Sequence, residues 1–138
     1  MNGWLLDINV LLGCSWKSHA DNTALIGWLL QVNDWATCPL TESGFMRISM
    51  TTAYHASFDD ARRSLATLCA LRSHRFLTDD VKAALLPVLS SYKDTTDAHL
   101  VILAKRHGLK LATLDGTLIG KPWAIGVAEN PLLQPIKS

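Results

Sequence analysis

The sequence predicts an α/β fold in which a mostly parallel sheet is covered by helices on both faces, and three observations lead there. Trp4, Leu5 and Leu6 form an apolar run that ends on Asp7, and a second apolar run restarts at Ile8 without a polar spacer. A strand that is apolar on both sides belongs in a parallel sheet buried between helices. The same pattern returns in KLATLD, Lys110 to Asp115, and between the two copies short apolar runs alternate with segments of helical spacing. Two strands that both end in Asp place two carboxylates on one edge of one sheet, the carboxyl edge at which open α/β sheets bind ligands. Taken alone, Asp7 could equally form a turn into the next helix; the repetition favours a site.

The elements follow in order. Asp21 to Val32 has Ala24, Leu25, Trp28 and Leu29 at helical spacing. Trp35 to Cys38 reads as a second strand stopped by Pro39, and LTESGFMRISM as a helix with Thr41 as N-cap and Glu42 in the first turn. Glu42 there could simply complement the helix dipole, yet a helix that follows a parallel strand starts at the same sheet edge as Asp7. Phe58 to Ser73 is the longest amphipathic helix, with Leu65, Leu68, Cys69 and Leu71 inward and Arg62, Arg63 and Arg72 solvated. Arg75 to Leu77 forms a third strand, and Asp79 is expected to cap a helix reaching Leu89 past Pro87. TTDAHLVILAKRHG is a helix starting at Thr95 or Thr96 and closed by Gly108. Leu111 to Leu114 is the fourth strand, Trp123 to Val127 a candidate fifth, and Asn130-Pro131 closes the domain.

Bulk properties narrow the class. A chain of 138 residues is read as one domain, 1–138, long enough to bury about two-thirds of its unfolded surface. Hydrophobic content of 49% against 18% charged describes a globular chain rather than a disordered one. No run approaches membrane-spanning length, and the N-terminal apolar stretch lacks the basic lead-in of a signal peptide and is cut by Asp7. Cys14, Cys38 and Cys69 form no CxxC or Cys/His motif, so they are read as reduced core residues of a cytoplasmic protein. Gathering four of the twelve acidic residues into one pocket leaves eight against thirteen basic side chains elsewhere, a surface that can hold a polyanion around an acidic centre.

The right-handed crossover rule brings Asp7, Glu42, Asp97 and Asp115 to one sheet edge, two at strand ends and two in first turns of helices. Four carboxylates at close quarters repel, and a small domain cannot bury them unpaired. Divalent cations resolve the conflict, and an all-oxygen ligand set without His or Cys suits Mg²⁺ or Mn²⁺ rather than zinc. Asp94, three residues before Asp97, either reaches the same site or caps the helix. His99 lies two residues past Asp97 and so points off its face, and none of the five histidines is assigned to the site. Trp16 and Trp123 could stack RNA bases, but packing is the preferred use of the tryptophans. Lys105, Arg106 and Lys110 suit phosphate contacts and a solvated helix end alike. Asn9, standing where a haloacid-dehalogenase-like phosphatase would need Asp, argues against that class.

LLDINVLL, TESGFMRI, TTDAHLVILAKRHGLKLATLD and ENPLL together resemble the successive motifs of the PIN domain, and within it the VapC-type toxins of toxin–antitoxin pairs. The resemblance implies a three-layer PIN fold and an endoribonuclease in which Asp7, Glu42, Asp97 and Asp115 bind one or two Mg²⁺ or Mn²⁺ ions, with Asn9 and Thr113 as polar neighbours. It also implies a homodimer and a small antitoxin partner. The chain departs from the family at Gly116-Thr117, where a charged-aromatic sequence is more usual. The alternative is a catalytically idle PIN scaffold that binds RNA or protein, disfavoured because a binding module gains nothing from four mutually repelling carboxylates.

Overall fold

The computed structural model describes residues 3–133; the ends of the expected 1–138 domain, residues 1–2 and 134–138, lie outside the described residues. Five short parallel strands form one sheet in the order β3-β2-β1-β4-β5: β1 Trp4–Leu6, β2 Trp35–Thr37, β3 His74–Phe76, β4 Lys110–Ala112 and β5 Ala128–Glu129. The chain starts in the middle strand, winds outward through β2 to β3, then crosses to β4 on the other side. Between β1 and β4 the winding direction reverses, and at such a switch point the loops leaving two neighbouring strands part to open a crevice.

Side-chain alternation along these strands builds two cores. Trp4, Leu6 and Trp35 point to one face, where they meet Val10 and Leu11 of α1 (Ile8–Ser15), Leu25 of α2 (Asn22–Leu29), Phe45 of α3 (Pro39–Ser49) and Leu65 of α4 (Phe58–Cys69). Leu5, Ala36 and Leu111 point to the other, against Leu100, Val101 and Leu103 of α5 (Thr95–Arg106) and Leu118 of α6 (Gly116–Ile119). Helix, sheet and helix thus form three layers, as the apolar-on-both-faces strands require. No helix among the described residues is long and apolar enough to cross a membrane.

Local chemistry sets the boundaries, and it corrects several expectations. The first turn of α3 is capped by Cys38 rather than Thr41: Pro39 takes the first helical position, where its fixed φ is preorganised, and the Thr41 hydroxyl reaches back to accept from the Cys38 N–H at 3.0 Å. The helix expected from Asp79 to Leu89 is absent, leaving only a short turn at Ala83–Leu85. Its would-be cap is engaged otherwise, since the Asp79 carboxylate accepts from the Val81 N–H at 3.0 Å and pairs with His99 Nε2 at 2.6 Å, while Pro87 lacks the donor a continuing helix needs. The fifth strand is Ala128–Glu129, not Trp123–Val127; those residues turn, with Val127 N–H bonded to the Ala124 carbonyl at 3.0 Å and Gly126 at φ 84°. Gly108, at φ 67°, closes α5 as expected. Cys14, Cys38 and Cys69 are free thiols.

Phe45 has no exposed surface and stacks on Trp16, with ring centroids 6.0 Å apart and planes within 6°. Phe45→Ala should lower unfolding free energy by about 3–5 kcal/mol, measured by urea denaturation; a loss under about 1 kcal/mol would mean that this face of the core is not packed as described.

Candidate active site

The carboxyl edge at the switch point is held together by one hydroxyl. Thr113, directly after β4 and fully buried, donates to Asp7 Oδ2 at 2.8 Å, while its two lone pairs accept from Asn9 Nδ2 at 3.2 Å and from the Asp115 N–H at 3.1 Å. A threonine hydroxyl has one proton and two lone pairs, so its capacity is filled. Asn9 completes the link from the other side, its Oδ1 accepting from the Leu114 N–H at 3.1 Å. Segments more than a hundred residues apart are locked together, and Asp7 is fixed at the N-cap of α1, where its Oδ1 accepts from the Ile8 N–H at 2.8 Å.

Three of the expected acids meet electrostatically at this edge. Burial pushes the Asp7 carboxyl above its usual range, the bonds from Thr113 and Ile8 pull it back in part, and the nearby Asp115 charge raises it again. Asp97, in the first turn of α5, is pushed up to about 6 by burial first and then by the charges of Asp7, Asp115 and Asp94. Asp115 is the exposed member and caps α6, its Oδ1 accepting from Thr117 and Leu118 N–H at 3.0 and 3.2 Å. Among the described residues no ion pair forms at Asp7, Asp97 or Asp115. Carboxylates that raise one another's pKa without a cationic side chain between them form an oxygen donor set suited to a hard dication.

The remaining expected residues sit as follows. Asp94 makes no side-chain cap bond to α5; it pairs with Lys121 at 3.4 Å and adds to the negative field at Asp97. Glu42 is in the first turn of α3, but its carboxylate faces another group, accepting from Thr37 Oγ1 at 2.6 Å and standing 3.9 Å from Cys69 Sγ. His74 Nε2 lies 2.7 Å from the same Thr37 oxygen. Burial, then the Glu42 charge, pushes the Cys69 thiol up to about 11. Sequence reasoning missed this second group: Thr37, Cys69 and His74 come from separate elements, share no motif spacing, and Cys69 reads as an ordinary inward position on an amphipathic helix. His99 turns to Asp79, and the Trp16 indole N–H donates to Ser49 Oγ at 2.9 Å within the core. Arg106 pairs with Asp80 at 3.1 Å, and Lys110 pairs with Glu129.

Fold and site define a class: a parallel α/β domain with electrostatically coupled acids at the carboxyl edge of its central strands. Residues 4–121 match the family model of the PIN domain. The chain is 42% identical over 118 residues to ribonuclease VapC38 of Mycobacterium tuberculosis, covering 80% of this chain and 84% of the relative. It is 36% identical over 124 residues to ribonuclease VapC39, covering 83% and 89%, and 32% identical over 117 residues to ribonuclease VapC29, covering 83% and 86%, both of the same species. The chain therefore belongs to the PIN-domain family, in its VapC-type branch.

Two outcomes follow from the geometry. Thr113→Val keeps the shape but leaves Asp7, Asn9 and the Asp115 N–H short of a partner, and should lower stability by about 1–3 kcal/mol in chemical denaturation; an unchanged midpoint would show that the hydroxyl does not tie the edge together. Asp97 binds its proton more tightly folded than unfolded, where its pKa is 3.8, so the stability this contributes is complete below about pH 4 and lost as pH rises through 6. In EDTA, wild type should therefore lose more melting temperature between pH 4.5 and 7 than Asp97→Asn does; parallel curves would remove Asp97 from the coupled group.

Proposed function

We propose that this protein is a Mg²⁺- or Mn²⁺-dependent endoribonuclease that acts as the toxin of a toxin–antitoxin pair. The observation that supports the reading is the electrostatic coupling of Asp7, Asp97 and Asp115 at the switch point of a PIN fold, with no ion pair to any of the three among the described residues. Asp7, Asp97 and Asp115, with Glu42 from α3, would hold one or two ions. A bound dication supplies a metal-activated water and a Lewis acid for the scissile phosphate. The chain's own residues do the rest. Thr113 and Asn9 aim the Asp7 carboxylate, α5 presents Asp97 from the opposite layer, and burial keeps both in surroundings where charge acts strongly. No histidine base or covalent nucleophile is needed, consistent with His99 being engaged by Asp79. RNA as substrate follows the relatives, which are named ribonucleases. A cytoplasmic location is proposed on the three free cysteines, and a homodimer and a small antitoxin on the family resemblance.

Asp97→Asn preserves size and an oxygen while removing one anion. Cleavage of RNA with Mn²⁺ should fall by more than the roughly 10–100-fold typical of losing an outer-shell partner, as should growth inhibition on expression. In EDTA the variant should melt slightly higher than wild type, because one like charge is gone. Saturating Mn²⁺ should stabilise wild type by about 2.7 kcal/mol at a hundredfold excess over its Kd and the variant by clearly less. Wild-type rates from Asp97→Asn, or a melting temperature indifferent to Mn²⁺ in the native protein, would sink the metal-nuclease reading and leave an idle scaffold.

A further inference from the structure

Among the described residues, one set of three metal-ligating side chains has all its ligand atoms within 4.8 Å of one another: Glu42, Cys69 and His74. It differs in kind from the acid edge, since it offers one sulfur, one imidazole nitrogen and one carboxylate oxygen, the donor types of zinc sites. Three elements supply it: Glu42 lies in the first turn of α3, Cys69 is the last residue of α4 and His74 opens β3, with Thr37 at the end of β2 beside them.

Two features show that the set is built rather than incidental. The first is spacing. Two ligands bonded to one tetrahedral ion at 2.3 and about 2.1 Å stand roughly 3.6 Å apart, and Cys69 Sγ is already 3.9 Å from Glu42 Oε2. The second is a shared anchor. The hydroxyl of fully buried Thr37 lies 2.6 Å from Glu42 Oε2 and 2.7 Å from His74 Nε2, so one side chain holds two of the three donors next to each other in a half-buried site. Trp35, with its ring centroid 4.7 Å from that of His74, packs against the imidazole.

We propose that Glu42, Cys69 and His74 form a binding site for Zn²⁺ or a similar thiophilic dication, distinct from the acid edge, and that its occupation inhibits the nuclease by holding Glu42 on Cys69 and His74, where it cannot join the acid edge. The inhibitory half rests on the nuclease reading above; the binding half does not. On binding, the Cys69 thiol proton passes to solvent and a metal–sulfur bond forms, with no change of oxidation state.

Cobalt(II) added to the full chain under reducing conditions tests the binding half. Wild type should develop thiolate-to-cobalt charge-transfer absorption saturating at one equivalent, which Zn²⁺ abolishes. The band should vanish in Cys69→Ser, weaken at least tenfold in affinity in His74→Gln, and persist in Asp7→Asn; circular dichroism confirms that each variant is folded. No thiolate band in wild type, or a band that survives in folded Cys69→Ser, overturns the site. For the inhibitory half, Zn²⁺ is titrated into Mn²⁺-supported RNA cleavage by wild type and Cys69→Ser. A shift of the inhibitory concentration in Cys69→Ser to values at least about tenfold higher supports the proposal, and equal inhibition of both overturns it. A wild type that cleaves no RNA before zinc is added refutes the nuclease reading, and with it the inhibitory half, while the cobalt spectrum still decides the site.

Discussion

The hydrogen bond from Thr113 to Asp7 is the interaction on which the candidate site depends. A parallel sheet that reverses its winding between β1 and β4 leaves the ends of those strands free to part. A buried carboxylate at the end of β1 carries a large desolvation cost unless something donates to it. One hydroxyl answers both needs, because Thr113 donates to Asp7 while accepting from Asn9 and from the backbone of Asp115. What remains uncompensated is charge: donors steady Asp7, but burial and Asp115 still hold its proton affinity up, and Asp97 is raised as well. The edge is rigid in position and unfinished in electrostatics, the combination in which a dication gains most and reorganises least.

The two cores explain how so slight a sheet can carry this strain. β1 to β4 have three residues each and β5 has two, too few for ladder bonds alone to specify position. Trp4, Leu6 and Trp35 on one face and Leu5, Ala36 and Leu111 on the other make a slip of one residue prohibitive, because it would exchange the two faces. Registration by packing also fixes where each strand ends, and so where Asp7 and Thr113 emerge.

How far the sequence disclosed this follows from how local each signal is. The apolar strands, the amphipathic α4 and the punctuated α5 were readable because each is decided by residues within a turn or two of one another. The recurrence of a strand closing on Asp placed Asp7 directly after β1, whereas Asp115 lies three residues past the end of the neighbouring β4 and caps α6. Where the sequence misled, a side chain had been recruited from afar or a turn residue had moved the boundary. Asp79 resembles a helix cap, but its carboxylate is taken by His99, twenty residues on. Trp123 to Val127 resembles a strand, but Gly126 at φ 84° turns the chain before β5 begins. Thr41 resembles an N-cap, but Pro39 starts the helix two residues earlier. The second donor group was invisible for the same reason: Thr37, Glu42, Cys69 and His74 converge only through the β2–β3 pairing and the packing of α3 on α4.

Glu42 links the two halves of this edge. By chain position it begins a helix beside the strand that carries Asp7, and by side-chain direction it joins a thiol and an imidazole. The neighbouring groups differ in hardness: oxygens alone favour Mg²⁺ or Mn²⁺, whereas sulfur and nitrogen favour zinc-like ions. Under the two proposals one carboxylate is assigned to both ligand sets, and it cannot complete each at once, so the ion present would decide which set it joins. Its present partners are a hydroxyl at 2.6 Å and a thiol at 3.9 Å, and neither is a cation, so the negative charge of Glu42 is hydrogen-bonded but not neutralised. A cation at Cys69 and His74 would neutralise that charge with no change in the sheet or the helices around it.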